Sequence, residues 1–211
     1  GTGATRTART SAANGSLFLD PLHLLVDSVP SGNRTIGQIN QSTTGNEFWR
    51  NQFTNSGATT FAGFLKDVRK MFNDCSKGTG GPPNLFLADQ NTYELWEAAY
   101  AATQRFPGYE RADIPFTNWT FKGKPVVWDE FVPDAGGDSI TQSTTSGTVW
   151  FLNTNFLQIQ YDLETNWITT DFQKPENQDA KVAHIMWYGS HGVMNRRKQG
   201  ILFYIDTTIA A

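Results

Sequence analysis

The side chains that could do chemistry are few. Three histidines, His23, His184 and His191, and a single cysteine, Cys75, are spread over 211 residues. No His-Glu-x-x-His is present, and one thiol cannot build a thiolate cluster, so zinc sites of standard spacing are absent. His184 sits inside the strand-like run Lys181-Val-Ala-His-Ile-Met-Trp187 and reads as structural rather than as a ligand. Gly78-Thr-Gly-Gly81 has the look of a phosphate loop, but Pro82-Pro83 follow where a Lys-Ser/Thr and a helix amino end are required. Gly189-Ser-His-Gly192 sets a serine beside a histidine without the Gly-x-Ser-x-Gly elbow of a hydrolase.

Carboxylate pairs occur as Glu94 with Glu97 and as Asp129 with Glu130. Glycosidase chemistry needs two such groups facing each other across a cleft. Glu94 also stands three positions after Asn91, the spacing of a capping box, which gives it a structural role. Sequons at Asn14, Asn33, Asn40 and Asn118 fit chance in a chain rich in Asn, Ser and Thr. Arg196-Arg-Lys198 reads as a solvated turn that could meet a phosphate or an acidic neighbour. No constellation here does chemistry. No catalytic, cofactor-binding or metal-ligating residue is expected, and the chain is read as something other than an enzyme.

Composition points the same way. Lysine and arginine number 17 against 20 aspartate and glutamate, a formal net charge of −3, which rules out a nucleic-acid binder relying on positive charge. No apolar run approaches the roughly 18 residues of a membrane span. One cysteine excludes an internal disulfide framework and fits a reducing place of synthesis. Charged residues are 18% of the chain and aromatics 13%; the charged share is below the roughly 25% of an average soluble protein. Depleted charge with many aromatics is the bias of buried subunit interfaces. Sugar-binding β modules share that bias.

The elements that would position any site are legible from period. Over residues 60–77, Phe61, Phe64, Leu65, Val68, Met71, Phe72 and Cys75 recur at helical spacing. Lys66, Asp67, Arg69, Lys70 and Asp74 take the other face. Thr59 or Thr60 suits the start, and Lys77 with Gly78 the end. Residues 84–88 read as a buried strand. A second helix follows, capped at Asn91, with Leu95, Trp96, Ala99, Tyr100 and Ala102 on its apolar face and Pro107-Gly108 at its end.

From Phe116 the period falls to two. Thr117, Trp119 and Phe121 lead through Lys122-Gly-Lys124 into residues 125–128, a hairpin signal. Residues 134–147 are a polar loop. Strands are expected at 148–152, 156–161, 167–172, 181 to about 193, and 201–205. Residues 17–55 are loop-rich, with no firm element. Gly1 to Ser16 has no apolar core of a signal peptide and is read as a fragment start. Two helices in a strand-rich chain argue for an α+β fold, in one large domain or two small ones.

Six stretches, in order, carry a family resemblance. They are Phe48-Trp-Arg-Asn-Gln52, Leu87-Ala-Asp-Gln-Asn-Thr-Tyr-Glu-Leu95, Phe121-Lys-Gly-Lys-Pro-Val-Val-Trp-Asp129, Phe151-Leu-Asn-Thr-Asn155, Lys174-Pro-Glu-Asn-Gln-Asp-Ala-Lys181 and Asn195-Arg-Arg-Lys-Gln-Gly200. Together they resemble the major capsid proteins of tailed double-stranded-DNA bacteriophages, the Hong Kong 97 fold type. The resemblance implies a peripheral domain over 1–81 and 156–196, with a spine helix at about 60–77 and long strands. It also implies a mixed-sheet axial domain over 82–155 and 197–211.

The function so implied is structural: a major capsid subunit that self-assembles into the icosahedral shell enclosing phage or prophage DNA. Its partners would be copies of itself in hexamers and pentamers, with scaffolding, portal and decoration proteins. Neither a cofactor, a membrane nor a sequence-specific nucleic acid is implied. The place would be the virion, after synthesis in the bacterial host cytoplasm. The family's amino-terminal arm and extended loop have no recognisable counterpart here, and no lysine can be matched to the cross-links some members form. The alternative is a carbohydrate-binding β-rich module, suggested by seven Trp and many Asn, and after it a glycoside hydrolase. The amphipathic stretch at 60–77 counts against the sugar-binding reading.

Overall fold

A computed structural model describes residues 22–103, 120–132, 145–174 and 180–209. The opening stretch holds one helical turn, α1 (Leu22–Leu25), and two minimal strands, β1 (Thr35–Ile36) and β2 (Ile39–Asn40). Then come β3 (Gln52–Asn55), helix α2 (Phe61–Ser76), β4 (Leu85–Ala88) and helix α3 (Gln90–Thr103). Among the described residues, the strands that follow are β5 (Thr120–Phe121), β6 (Lys124–Trp128), β7 (Ser146–Leu152), β8 (Leu157–Thr169), β9 (Ile185–Val193) and β10 (Gly200–Asp206).

Six strands form one mixed sheet in the order β3-β10-β7-β4-β6-β5. β10 is parallel to β3 and antiparallel to β7, while β4 is antiparallel to β7 and parallel to β6. Both faces of the centre are buried, so β7 reads as an unbroken apolar run, Val149-Trp-Phe-Leu152, rather than as alternation. Val149 and Phe151 point to the helices; Trp150 and Leu152 point to a second cluster with Val26, Val132, Ile201 and Phe203.

Helix α2 lies across the first face. Its stripe is buried as its period requires, with Phe64, Val68 and Cys75 fully enclosed. The Thr60 hydroxyl caps it by accepting from Gly63 N at 3.2 Å. Trp96 of α3 and Phe64 of α2 meet edge to face, ring centroids 6.0 Å apart. Phe86 of β4 is the hub, with Phe151 at 5.1 Å, Phe121 at 5.6 Å and Trp96 at 5.9 Å, all edge on. The β5–β6 turn is a two-residue loop with both centres left-handed, Lys122 at φ 48° and Gly123 at φ 72°.

Several expectations shift. The cap of α3 is Asp89, whose carboxylate accepts from Thr92 N at 3.1 Å, so the helix starts two residues earlier than the Asn91–Glu94 spacing implied. Glu94 instead accepts from Gln90 Nε2 at 3.0 Å. The strands expected at 156–161 and 167–172 are one, β8, and β9 begins at Ile185 rather than at 181. β3, unexpected in a loop-rich region, is held by its pairing to β10. The readings at Gly1–Ser16, Pro107-Gly108, Thr117, Trp119 and 134–144 lie outside the described residues, as do the Tyr100 and Ala102 side chains.

Candidate assembly surface

Strands β8 and β9 leave the sheet and pair only with each other among the described residues. β8 has 13 residues but runs alongside only the nine of β9; at ~3.3 Å for each residue of β9 the ribbon reaches about 30 Å. Near the base the register is regular, with Leu157 opposite Val193, Ile159 opposite His191 and Tyr161 opposite Gly189. One face there is apolar, and Gln158, Gln160 and Ser190 take the other. Trp187 is on the apolar face and lies over Gly189, where any Cβ would collide with its ring. Its indole is 6.2 Å from that of Trp167.

The β8 strand is interrupted twice. Asp162 accepts from Glu164 N at 3.2 Å and from the Thr165 hydroxyl at 2.9 Å, folding a small turn into it. Trp167, at φ 57°, is then the extra residue of a bulge opposite Trp187 and Met186. The outcome is a twisted ribbon whose large side chains face outward: Leu163 is 81% exposed, Trp167 70% and Ile185 68%.

The base of this ribbon is the most polar part of the interior. Met194 N donates to Phe156 O at 2.9 Å, closing the ribbon, and Asn153 N donates to Gln199 Oε1 at 2.8 Å. Arg196, expected in a solvated turn, is completely buried. Its guanidinium donates to Leu25 O at 2.8 Å, to Gln41 Oε1 at 2.7 Å and to Asn51 Oδ1 at 3.1 Å. Burial pulls its pKa down to about 10, against the opposing pull of Asp27 and with help from Arg34. Asp27 is itself 3.4 Å from the Arg34 guanidinium.

Lys198 is buried as well. Its ammonium donates to the carbonyls of Ser76, Lys77 and Gly78 at 3.3, 2.8 and 3.1 Å, the carbonyl end of α2, where the helix dipole favours a cation. Only Arg197 of the three lies toward solvent, beside a cleft of about 450 Å³ that also holds Glu47, Arg50, Lys70 and Asp74. Glu47 pairs with Arg50 at 3.9 Å and Asp74 with Lys70 at 3.1 Å. Burial raises the Asp74 pKa, but hydrogen bonds from Lys77 and Lys70 outweigh it and hold the carboxyl below its usual value.

The other chemistry-bearing residues are scattered. His191 is on β9, and His184 is exposed just before that strand, its backbone N donating to the Thr170 hydroxyl at 2.9 Å. Cys75 is enclosed under the sheet, where burial, reinforced by Asp74, pushes its thiol pKa up. Asp129 accepts from Phe131 N at 2.8 Å in a local turn. Among the described residues no three His, Cys, Asp or Glu side chains are grouped to hold a metal, and no helix is long and apolar enough to cross a membrane.

No protein-family model matches the sequence, and no curated protein does. Among solved structures, the chain is similar to the holo-SrpI encapsulin complex from Synechococcus elongatus PCC 7942, seen by cryo-electron microscopy. The TM-score is 0.50 at 14% identity, over 74% of this chain and 53% of that one. The fold is Hong Kong 97-like. This chain spans about half the length of the encapsulin chain it matches. On this Hong Kong 97-like body, sequence reasoning located the strands of the ribbon but not its exposure, because an alternating strand reads as half-buried whichever face is covered.

Proposed function

We propose that the protein is a structural subunit that self-assembles into a closed shell. The observation that carries the reading is the Hong Kong 97-like fold, shared with an encapsulin complex. An exposed apolar ribbon on that fold and a low share of charged residues support it. In this reading affinity is directed to copies of the same chain, and nothing is turned over. Modest contacts suffice, since closure of the shell multiplies them through effective concentration.

The finer reading is a bacteriophage or prophage capsid enclosing double-stranded DNA, assembled from hexamers and pentamers in the host cytoplasm and ending in the virion. The six sequence stretches support it. A compartment shell is the second reading, favoured by the encapsulin neighbour. Electron microscopy of the full-length protein is expected to show closed particles of many copies. Nuclease-protected DNA in purified particles marks the capsid, and particles free of nucleic acid mark the compartment. A protein that stays monomeric at high concentration overturns both.

A further inference from the structure

The Arg196-Arg197-Lys198 run divides its three charges between two tasks. Arg196 and Lys198 are buried and bonded to the interior, so the short helical turn they form is fixed at both ends. Arg197 is exposed on that turn, and among the described residues its guanidinium has no hydrogen bond and no ion pair. It lines the cleft of about 450 Å³, a volume inside the range of about 300–1,000 Å³ that small-molecule sites occupy. Arg50 lines the same cleft. Its Nε donates to Gln41 O at 2.8 Å, and the Gln41 side chain also receives Arg196. That anchor orients the Arg50 guanidinium while leaving its two terminal nitrogens without a hydrogen bond, since the Glu47 carboxylate is 3.9 Å away.

The two carboxylates of the cleft are already engaged. Asp74 sits between Lys70 at 3.1 Å and Lys77 at 2.7 Å, and Glu47 Oε2 accepts from Gly45 N at 2.9 Å. With Lys77 included, Arg50, Lys70 and Arg197 make four cations to two carboxylates, a local surplus of positive charge in a chain whose net charge is −3. One wall is apolar. Phe53 of β3 is 50% exposed and lines the cleft together with Pro30.

We propose that this cleft binds a small aromatic phosphate ester, its phosphate held by the Arg197 and Arg50 guanidiniums and its planar ring laid on Phe53. A guanidinium fork matches phosphate oxygens two at a time, which an ammonium does not. Both forks are set in place before a ligand arrives, one by the buried turn and one by Gln41 O, so little side-chain freedom is lost on binding. A bare phosphate would fill a small part of the cleft, and Phe53 offers the rest a face on which to stack. The site stands independently of the shell reading.

The test is calorimetric titration of the full-length protein with adenosine monophosphate, inorganic phosphate and adenosine. The nucleotide is expected to saturate the site, with inorganic phosphate weaker and adenosine weakest. Arg197→Gln should weaken the nucleotide by about 10-fold or more, the range for a lost charge-assisted bond. Its melting temperature should match the parent's, because the Arg197 side chain holds nothing in the fold. Phe53→Thr, which keeps a strand former in β3, should weaken the nucleotide by about 5-fold or more through lost stacking and leave inorganic phosphate unchanged. Adenosine that binds as tightly as its phosphate, or Arg197→Gln that binds the nucleotide as the parent does, overturns the proposal. So does a single-stranded oligonucleotide that binds and is not displaced by the nucleotide, which would make nucleic acid the source of the phosphate. None of these results bears on whether the chain assembles.

Discussion

Arg196 Nη1 donates to Gln41 Oε1 at 2.7 Å across a sequence separation of 155 residues. The contact ties the opening stretch to the base of the β8–β9 ribbon, and Asn51 and Leu25 add further acceptors for the same guanidinium. Arg196→Leu strands several buried acceptors at once, at about 1–3 kcal/mol for each one left unsatisfied. Urea denaturation is expected to show a loss of at least about 3 kcal/mol on that scale. Burial holds the folded pKa at about 10, below the ordinary guanidinium range, so the unfolded state binds more protons only between pH 10 and that range. Stability linked to this group rises with pH in that window and is flat below it. The deficit of the variant should be the same at pH 6 as at pH 8.

Lys198 offers a comparable test at the carbonyl end of α2. Lys198→Met keeps much of the buried stem and removes three donated hydrogen bonds. A loss of about 2–3 kcal/mol is expected, within the range for charge-assisted bonds. Hydrogen exchange should show its largest increase at the last turn of α2. Unchanged protection there would mean that the ammonium is not what caps the helix.

The corrected cap of α3 separates two residues that sequence spacing confuses. Asp89 accepts from Thr92 N at 3.1 Å and from Thr148 N at 2.7 Å, joining the helix to β7. Asp89→Ala is expected to cost about 2 kcal/mol, the upper end for an N-cap, because it also strands a buried strand N–H. Asn91→Ala should cost clearly less. The reverse order in thermal melts would restore the Asn91 cap.

Gly200 and Cys75 report on how tightly α2 lies against β10. A Cβ at Gly200 would come within 2.5 Å of Cys75 Sγ and 2.8 Å of Met71 Sδ. Gly200→Ala should therefore destabilise, by about 1–3 kcal/mol for overpacking. In the unaltered protein the buried, elevated thiol should react with a maleimide only as fast as the fold opens. Fast native labelling would contradict the packing.

What the sequence disclosed follows from the range of the forces involved. Helix α2 was legible because its seven apolar side chains and five charged ones sort onto opposite faces by period alone. The β5–β6 turn was legible because Lys122-Gly123 needs only local backbone preference. β3 was not, since Gln52-Phe-Thr-Asn55 has one large apolar residue and its partner β10 is far along the chain. β8 looked like two strands because the Asp162 turn breaks the alternation while the pairing to β9 continues past it. Arg196 and Lys198 looked solvated because their partners are mostly backbone carbonyls and amides from distant segments, which no local spacing records.

Mass photometry of the full-length protein at rising concentration decides whether the chain builds a shell. A discrete population of particles, each the mass of many copies, is expected beside free subunit. A single species at the mass of one chain, unchanged as concentration rises, would overturn the shell reading.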